Sequence, residues 1–177
     1  MTLAVAREKL HSGEQSTLDN CEYVVGGYSL SSLLNYPVFV ATNVQNGTYV
    51  YVHHIRFTFV ASGYPFQIYV AQNAIAPAAS PTFETNFQNK KVVSQSNTIG
   101  MVFTAGEITP AQYSAGIYGK SLYTYYALAN TNEEIHLEDS PILLGTDPVT
   151  GLQSSIICVM KNANSLLTVS LDVKQVL

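Results

Sequence analysis

The chain has 177 residues, of which 8 are basic and 12 acidic, giving a formal charge of −4 and a charged fraction of 11%. Low charge with 47% hydrophobic residues excludes intrinsic disorder and fits one domain that buries its own core. The few dispersed Lys and Arg argue against a nucleic-acid partner or an anionic membrane surface, and no apolar run approaches the ~18 residues of a membrane-spanning helix.

Residues 1–20 read as an N-terminal arm. Leu3, Ala6, Arg7 and Leu10 fall at i, i+3, i+4 and i+7, the spacing of a short helix, and His11-Ser12-Gly13 would end it. A helix this short is marginal alone, so Leu3 and Leu10 are expected to dock on a partner. Arg7, Glu8 and Lys9 stand where a signal peptide would carry its apolar run, so synthesis in a cytoplasm is expected. Cys21 and Cys158 have no metal-ligand spacing. Two separate buried thiols fit them better than a disulfide, though pairing stays open.

From Cys21 onward the pattern is β, and residues 21–177 form the expected main domain. The segment 37–44 is apolar, and Asn46-Gly47 is expected to join it to the next strand as a hairpin. Asn46-Gly47-Thr48 also matches a glycosylation sequon, but the turn is the preferred reading. The clearest strand covers 49–61 and alternates β-branched and aromatic residues. Such length predicts a bulge or bend near His53-His54.

Further strands are expected at 66–71, 91–94, 99–104, 122–129, 135–137, 142–144, 154–160 and 166–177. The last is well patterned, with Leu167, Val169, Leu171 and Val173 on one face and Thr168, Ser170, Asp172 and Lys174 on the other. Two long connections, 73–88 and 105–120, interrupt the series, and long loops in compact domains are often functional. Eight to ten strands without a helix in the main body predict an all-β, antiparallel β-sandwich of jelly-roll type.

Sites of chemistry are sparse. Adjacent strand residues point to opposite faces, so one of His53 and His54 is expected at the core edge and the other on the surface, with no shared metal. Glu134, His136 and Glu138 share a strand face opposite Ile135 and Leu137. Three such donors could hold a cation or meet a basic partner, but a solvated face is the preferred reading. There is no Gly-x-Ser-x-Gly elbow, phosphate loop or dinucleotide fingerprint, so neither an enzyme nor a cofactor is expected. Tyr123 and Tyr125 are expected on one face of their strand, away from Leu122, Tyr126 and Leu128. Ordinary sheet packing, an oligomer interface and stacking on sugar rings all remain open for them.

The run Tyr51-Val52-His53-His54-Ile55-Arg56-Phe57-Thr58-Phe59-Val60-Ala61-Ser62-Gly63 is followed by Phe66-Gln67-Ile68-Tyr69-Val70-Ala71. An Asn-rich turn, Asn86-Phe87-Gln88-Asn89-Lys90-Lys91, comes next, and Glu134-Ile135-His136-Leu137 precedes the closing strand at 166–173. This order, over roughly residues 45–175, resembles β-sandwich virion proteins of tailed bacteriophages, the kind that decorate heads or build head fibres and tail appendages. The resemblance implies a non-enzymatic virion subunit, often a homotrimer, held by other capsid or tail proteins. A lectin-like module that binds a host-surface glycan through the Tyr123/Tyr125 face or the 105–120 loop is the rival expectation.

Overall fold

The computed structural model describes residues 22–29, 35–44, 47, 49–59, 64–73, 78–79, 83–89, 101–126, 128–137, 139–147, 149–163 and 166–176. The expected arm with Leu3 and Leu10, the strand at 91–94, Cys21 and Glu138 lie outside these residues.

The described residues form twelve strands and one short helix. They are β1 (Glu22–Ser29), β2 (Tyr36–Asn43), β3 (Tyr49–Phe59), β4 (Pro65–Gln72), β5 (Ala78–Ala79), β6 (Phe83–Asn89), β7 (Met101–Ile108), α1 (Pro110–Ser114), β8 (Tyr123–Tyr126), β9 (Glu133–His136), β10 (Ile142–Leu144), β11 (Ser154–Met160) and β12 (Leu167–Val176). They pair into two antiparallel sheets. Sheet A runs β10-β3-β12-β1-β6, with β9 beside β10 on the same edge of β3, and sheet B runs β5-β7-β2-β11-β4-β8.

With β5 to β7 set aside, the pairing is that of a jelly roll. The first strand pairs with the last (β1–β12), the second with the one before it (β2–β11), the third with β9 and β10, and the fourth with β8. This is one long antiparallel ribbon wrapped into two sheets. The segment β5 to β7 is inserted in the ribbon between β4 and β8. It places β6 beside β1 and β7 beside β2, so both sheets widen on the same side.

The sandwich interior follows from alternation. Sheet A contributes Val25, Val52, Ile55, Phe57, Leu171 and Val173, and sheet B contributes Phe39, Phe66, Ile68, Ile156 and Met160, all 2% exposed or less. The rings of Phe57 and Phe66 stack across the two sheets at 3.9 Å. Cys158 lies in the same interior as a free thiol. Burial there disfavours the thiolate and pushes its pKa well above the usual range. At one end Asn43 is fully buried, and its amide donates to the Leu144 carbonyl at 3.2 Å, which ties β2 to β10 across the sheets.

Several sequence expectations need correction. Asn46-Gly47 closes no hairpin, because β2 and β3 belong to different sheets; Gly47 sits at φ +76°, as a chain reversal requires. The segment 73–88 is not one long connection, since β5 and most of β6 fall within it. Period-2 alternation in Phe83-Glu84-Thr85-Asn86-Phe87 is masked by polar residues of low strand propensity. Strand β7 continues to Ile108, so only the rest of 105–120 connects, and it contains α1.

That connection caps the outer face of sheet B. Thr109 and Gln112 form a reciprocal capping box and Pro110 opens the helix, so five residues of helix are locally specified. Tyr113, Ile117 and Tyr118 then pack on Val38, Val40, Tyr69, Ile157 and Val159, making a second, smaller core. The Tyr69 and Tyr113 hydroxyls both donate to Gln67 Oε1.

Candidate functional site

The most elaborate polar arrangement lies on the outer face of sheet A, where β12, β3 and β9 run side by side. Strand β3 makes it possible through a bulge. Asp172 faces His54 and Val173 faces Val52, so His53 is the extra residue. Val52 and Ile55 both point into the core, which leaves His53 and His54 together off the core face. The expectation of opposite faces, one histidine at the core edge and the other on the surface, is therefore corrected: the bulge breaks the alternation on which it rested, and both are half-buried.

Register then assembles the neighbours. Asp172 on β12 and His136 on β9 lie opposite His54 from its two sides, and Glu134 lies opposite Arg56. Arg56 holds Asp172 through two hydrogen bonds of 2.8 and 3.0 Å and Glu134 through its Nε at 2.9 Å. These bonds raise the Arg56 pKa from its ordinary value, the hydrogen bond to Asp172 most of all. His54 Nδ1 lies 3.4 Å from Asp172 Oδ2, and its Nε2 meets His136 Nδ1 at 2.7 Å. His136 Nε2 is 3.5 Å from Glu134 Oε2. Asp172, 3% exposed, anchors the inner end of this chain, while the His136 side chain is 58% exposed at the outer end.

Glu134 and His136 thus share a face as expected, and the structure adds His54, Arg56 and Asp172 to them. Both carboxylates are engaged by Arg56, and among the described residues no group of three His, Cys, Asp or Glu side chains is placed to hold a metal. The arrangement sets two imidazoles end to end between two carboxylates. Sequence reasoning missed Arg56 and Asp172. The available signal was that each is an ionisable residue on the polar face of a long apolar strand.

A second feature adjoins the first. The sandwich is open between β8 and β9, where Phe57, Tyr125, Tyr126, Glu133, Glu134 and Ile135 line a shallow cleft of about 140 Å³. Tyr123 and Tyr125 share one face of β8, but it is the inward one. They pair with Ile68 and Phe66 of β4 and are half-buried against the main core. Burial, then the neighbouring Tyr123, raises the Tyr125 pKa. Tyr126 on the solvent-facing side of β8 is 71% exposed, and Leu122, directly before the strand, is 50% exposed. Leu128 is 70% exposed, and Tyr64, directly before the Pro65 that pairs with Tyr126, is 46% exposed. The shared face thus turns toward the core; the register with β4, invisible in a single strand, decides which face turns in.

Among the described residues no helix is long and apolar enough to cross a membrane. No family model, curated protein or solved structure matches the chain.

Proposed function

We propose that the protein is a non-enzymatic virion structural subunit, a capsid decoration or minor capsid or tail component, that acts through contacts with its own copies and with other particle proteins. The observation that carries this reading is the jelly-roll pairing from β1–β12 through β4–β8, an architecture used by viral capsid proteins, by lectins and by cupins. A cupin-like role fits poorly with an interior filled by Phe39, Phe59, Phe66 and Ile68. The exposed Leu122, Tyr126 and Leu128 supply apolar area of the kind subunit contacts use. Fold alone does not assign function, so the reading rests on a count. Quantitative mass spectrometry of purified particles from the source should find this chain at a fixed stoichiometry. Its absence from particles overturns the proposal.

A lectin-like reading has one observation in its favour. Tyr126 offers an exposed ring beside Glu133 and Glu134 at the β8–β9 cleft, the pairing of stacking surface and carboxylate acceptors that a pyranose needs. Glycan-array binding that disappears in Tyr126→Ala supports it; a blank array removes it.

A further inference from the structure

We propose that the His54–His136 pair is an acid-sensitive latch that holds β9 on the edge of sheet A and releases it when both imidazoles are protonated. The inference stands apart from the virion reading and concerns this chain alone.

Hydrogen-bond direction is fixed at the Asp172 end of the cluster. Asp172 accepts only, so His54 Nδ1 donates to it. The 2.7 Å contact between His54 Nε2 and His136 Nδ1 then needs one proton between two nitrogens. With His136 as donor, its Nε2 faces the Glu134 carboxylate at 3.5 Å. The 2.7 Å contact is therefore compatible with no more than one of the two imidazoles being protonated. A second charge puts two N–H groups head to head at 2.7 Å, a distance that leaves no room for an acceptor between them. Asp172 and Glu134 face the outer nitrogens of the pair, not the two nitrogens that would collide. Arg56 on β3 adds positive charge beside both carboxylates, and Lys174 on β12 and His53 on β3 lie on the same side.

The latch sits where loosening has consequences. Strand β9 has four residues and pairs only with β3 among the described strands. Its registry ends with the Leu137 amide donating to the His53 carbonyl at 2.7 Å, beside the bulge. Edge elements with few bonds open first. Detached β9 takes two imidazole protons and attached β9 one, so acid favours detachment. Free imidazoles titrate near pH 6.5, so one withheld proton shifts the opening equilibrium by up to about 30-fold between pH 7.5 and 5.0.

The test is hydrogen–deuterium exchange of the full chain at pH 7.5 and 5.0, corrected for intrinsic exchange, read on peptides covering 130–140 and, as reference, β11. Wild type should lose about tenfold or more of its β9 protection in acid while β11 holds. His136→Gln should abolish that loss, because a neutral amide can pair with His54 in either protonation state; His54→Gln should do the same from the other side. Acid loss in either variant within threefold of wild type, or no acid loss in wild type, overturns the latch.

Discussion

Arg56 and Asp172, 116 residues apart, are joined by two hydrogen bonds across the β3–β12 boundary, with the carboxylate side chain 5% exposed and the guanidinium 39% exposed. The asymmetry in exposure decides what each truncation costs. Arg56→Ala leaves a buried carboxylate without its cation and should destabilise by about 2–4 kcal/mol. Asp172→Ala leaves a guanidinium that water and Glu134 can still serve, and should cost about 1–2 kcal/mol. Urea denaturation of the two variants checks the order. Equal losses, or the reverse order, contradict a pair whose weight lies on the buried carboxylate.

Gly26 in β1 is placed against β12 so closely that a Cβ would lie 2.4 Å from the Val169 carbonyl oxygen. Backbone cannot swing away as a side chain can, so Gly26→Ala should open the β1–β12 pairing and cost about 2–4 kcal/mol. Gly145 provides the contrast. A Cβ there meets only the Tyr49 ring, at 3.0 and 3.1 Å, and that ring is 47% exposed and can move. Gly145→Ala should stay within about 1 kcal/mol of wild type. Thermal melts of both variants make the comparison.

How much of this was legible in the sequence depended on whether the signal was local. The alternation of Leu167, Val169, Leu171 and Val173 reports its own burial, and those residues do point into the core. The length of β3 announced a bulge at His53-His54, and the register breaks there. The consequence of that bulge, both histidines on one face, required knowing that Val52 and Ile55 are both inward. The Arg56–Asp172 pair was hidden for a related reason. Cross-strand partners are set by sheet order, and nothing near position 56 names β12 as its neighbour. The same holds for Tyr123 and Tyr125, whose shared face was readable but whose inward direction was fixed by Phe66 and Ile68.

Tyr118 lies in the connection that caps sheet B, 6% exposed, with a buried hydroxyl. Burial pushes its pKa up to about 12, and raises that of Tyr69 beneath it as well. A phenol whose folded pKa is raised above the unfolded value of about 10 stabilises the fold fully below pH 10. That contribution is lost as pH rises from 10 through 12. The cap should therefore loosen in alkali before the main core does. Absorbance at 295 nm should show the exposed tyrosines ionising first and a late group only with loss of the near-ultraviolet dichroism. Tyr118→Phe, which removes the late ionisation at one site, should hold the cap to higher pH.

Cys158 is fully buried between the sheets and its thiol is pushed up in pKa, so both access and nucleophilicity are withheld. Iodoacetamide at pH 8 should leave the Cys158 peptide unmodified in the native protein and modify it completely in urea. Rapid native labelling would mean that the two sheets separate far more readily than a filled interior allows.

The two faces of β8 separate stability from recognition. Tyr125 pairs with Phe66 and packs 6.1 Å from the Phe57 ring, so Tyr125→Ala should cost about 1–3 kcal/mol whatever the protein binds. Tyr126 is 71% exposed, and Tyr126→Ala should change stability by less than about 0.5 kcal/mol. Any effect of Tyr126→Ala on association is then read without a folding artefact. Sedimentation velocity distinguishes the roles. If the β8 edge joins copies of the chain, Tyr126→Ala together with Leu128→Ala should shift the protein to a smaller species at unchanged melting temperature. If the edge faces a sugar, the sedimentation coefficient should stay put while glycan binding vanishes. A double variant that alters neither assembly nor binding would assign these exposed apolar side chains no recognition role, and the wide outer faces of the two sheets would become the surfaces to probe.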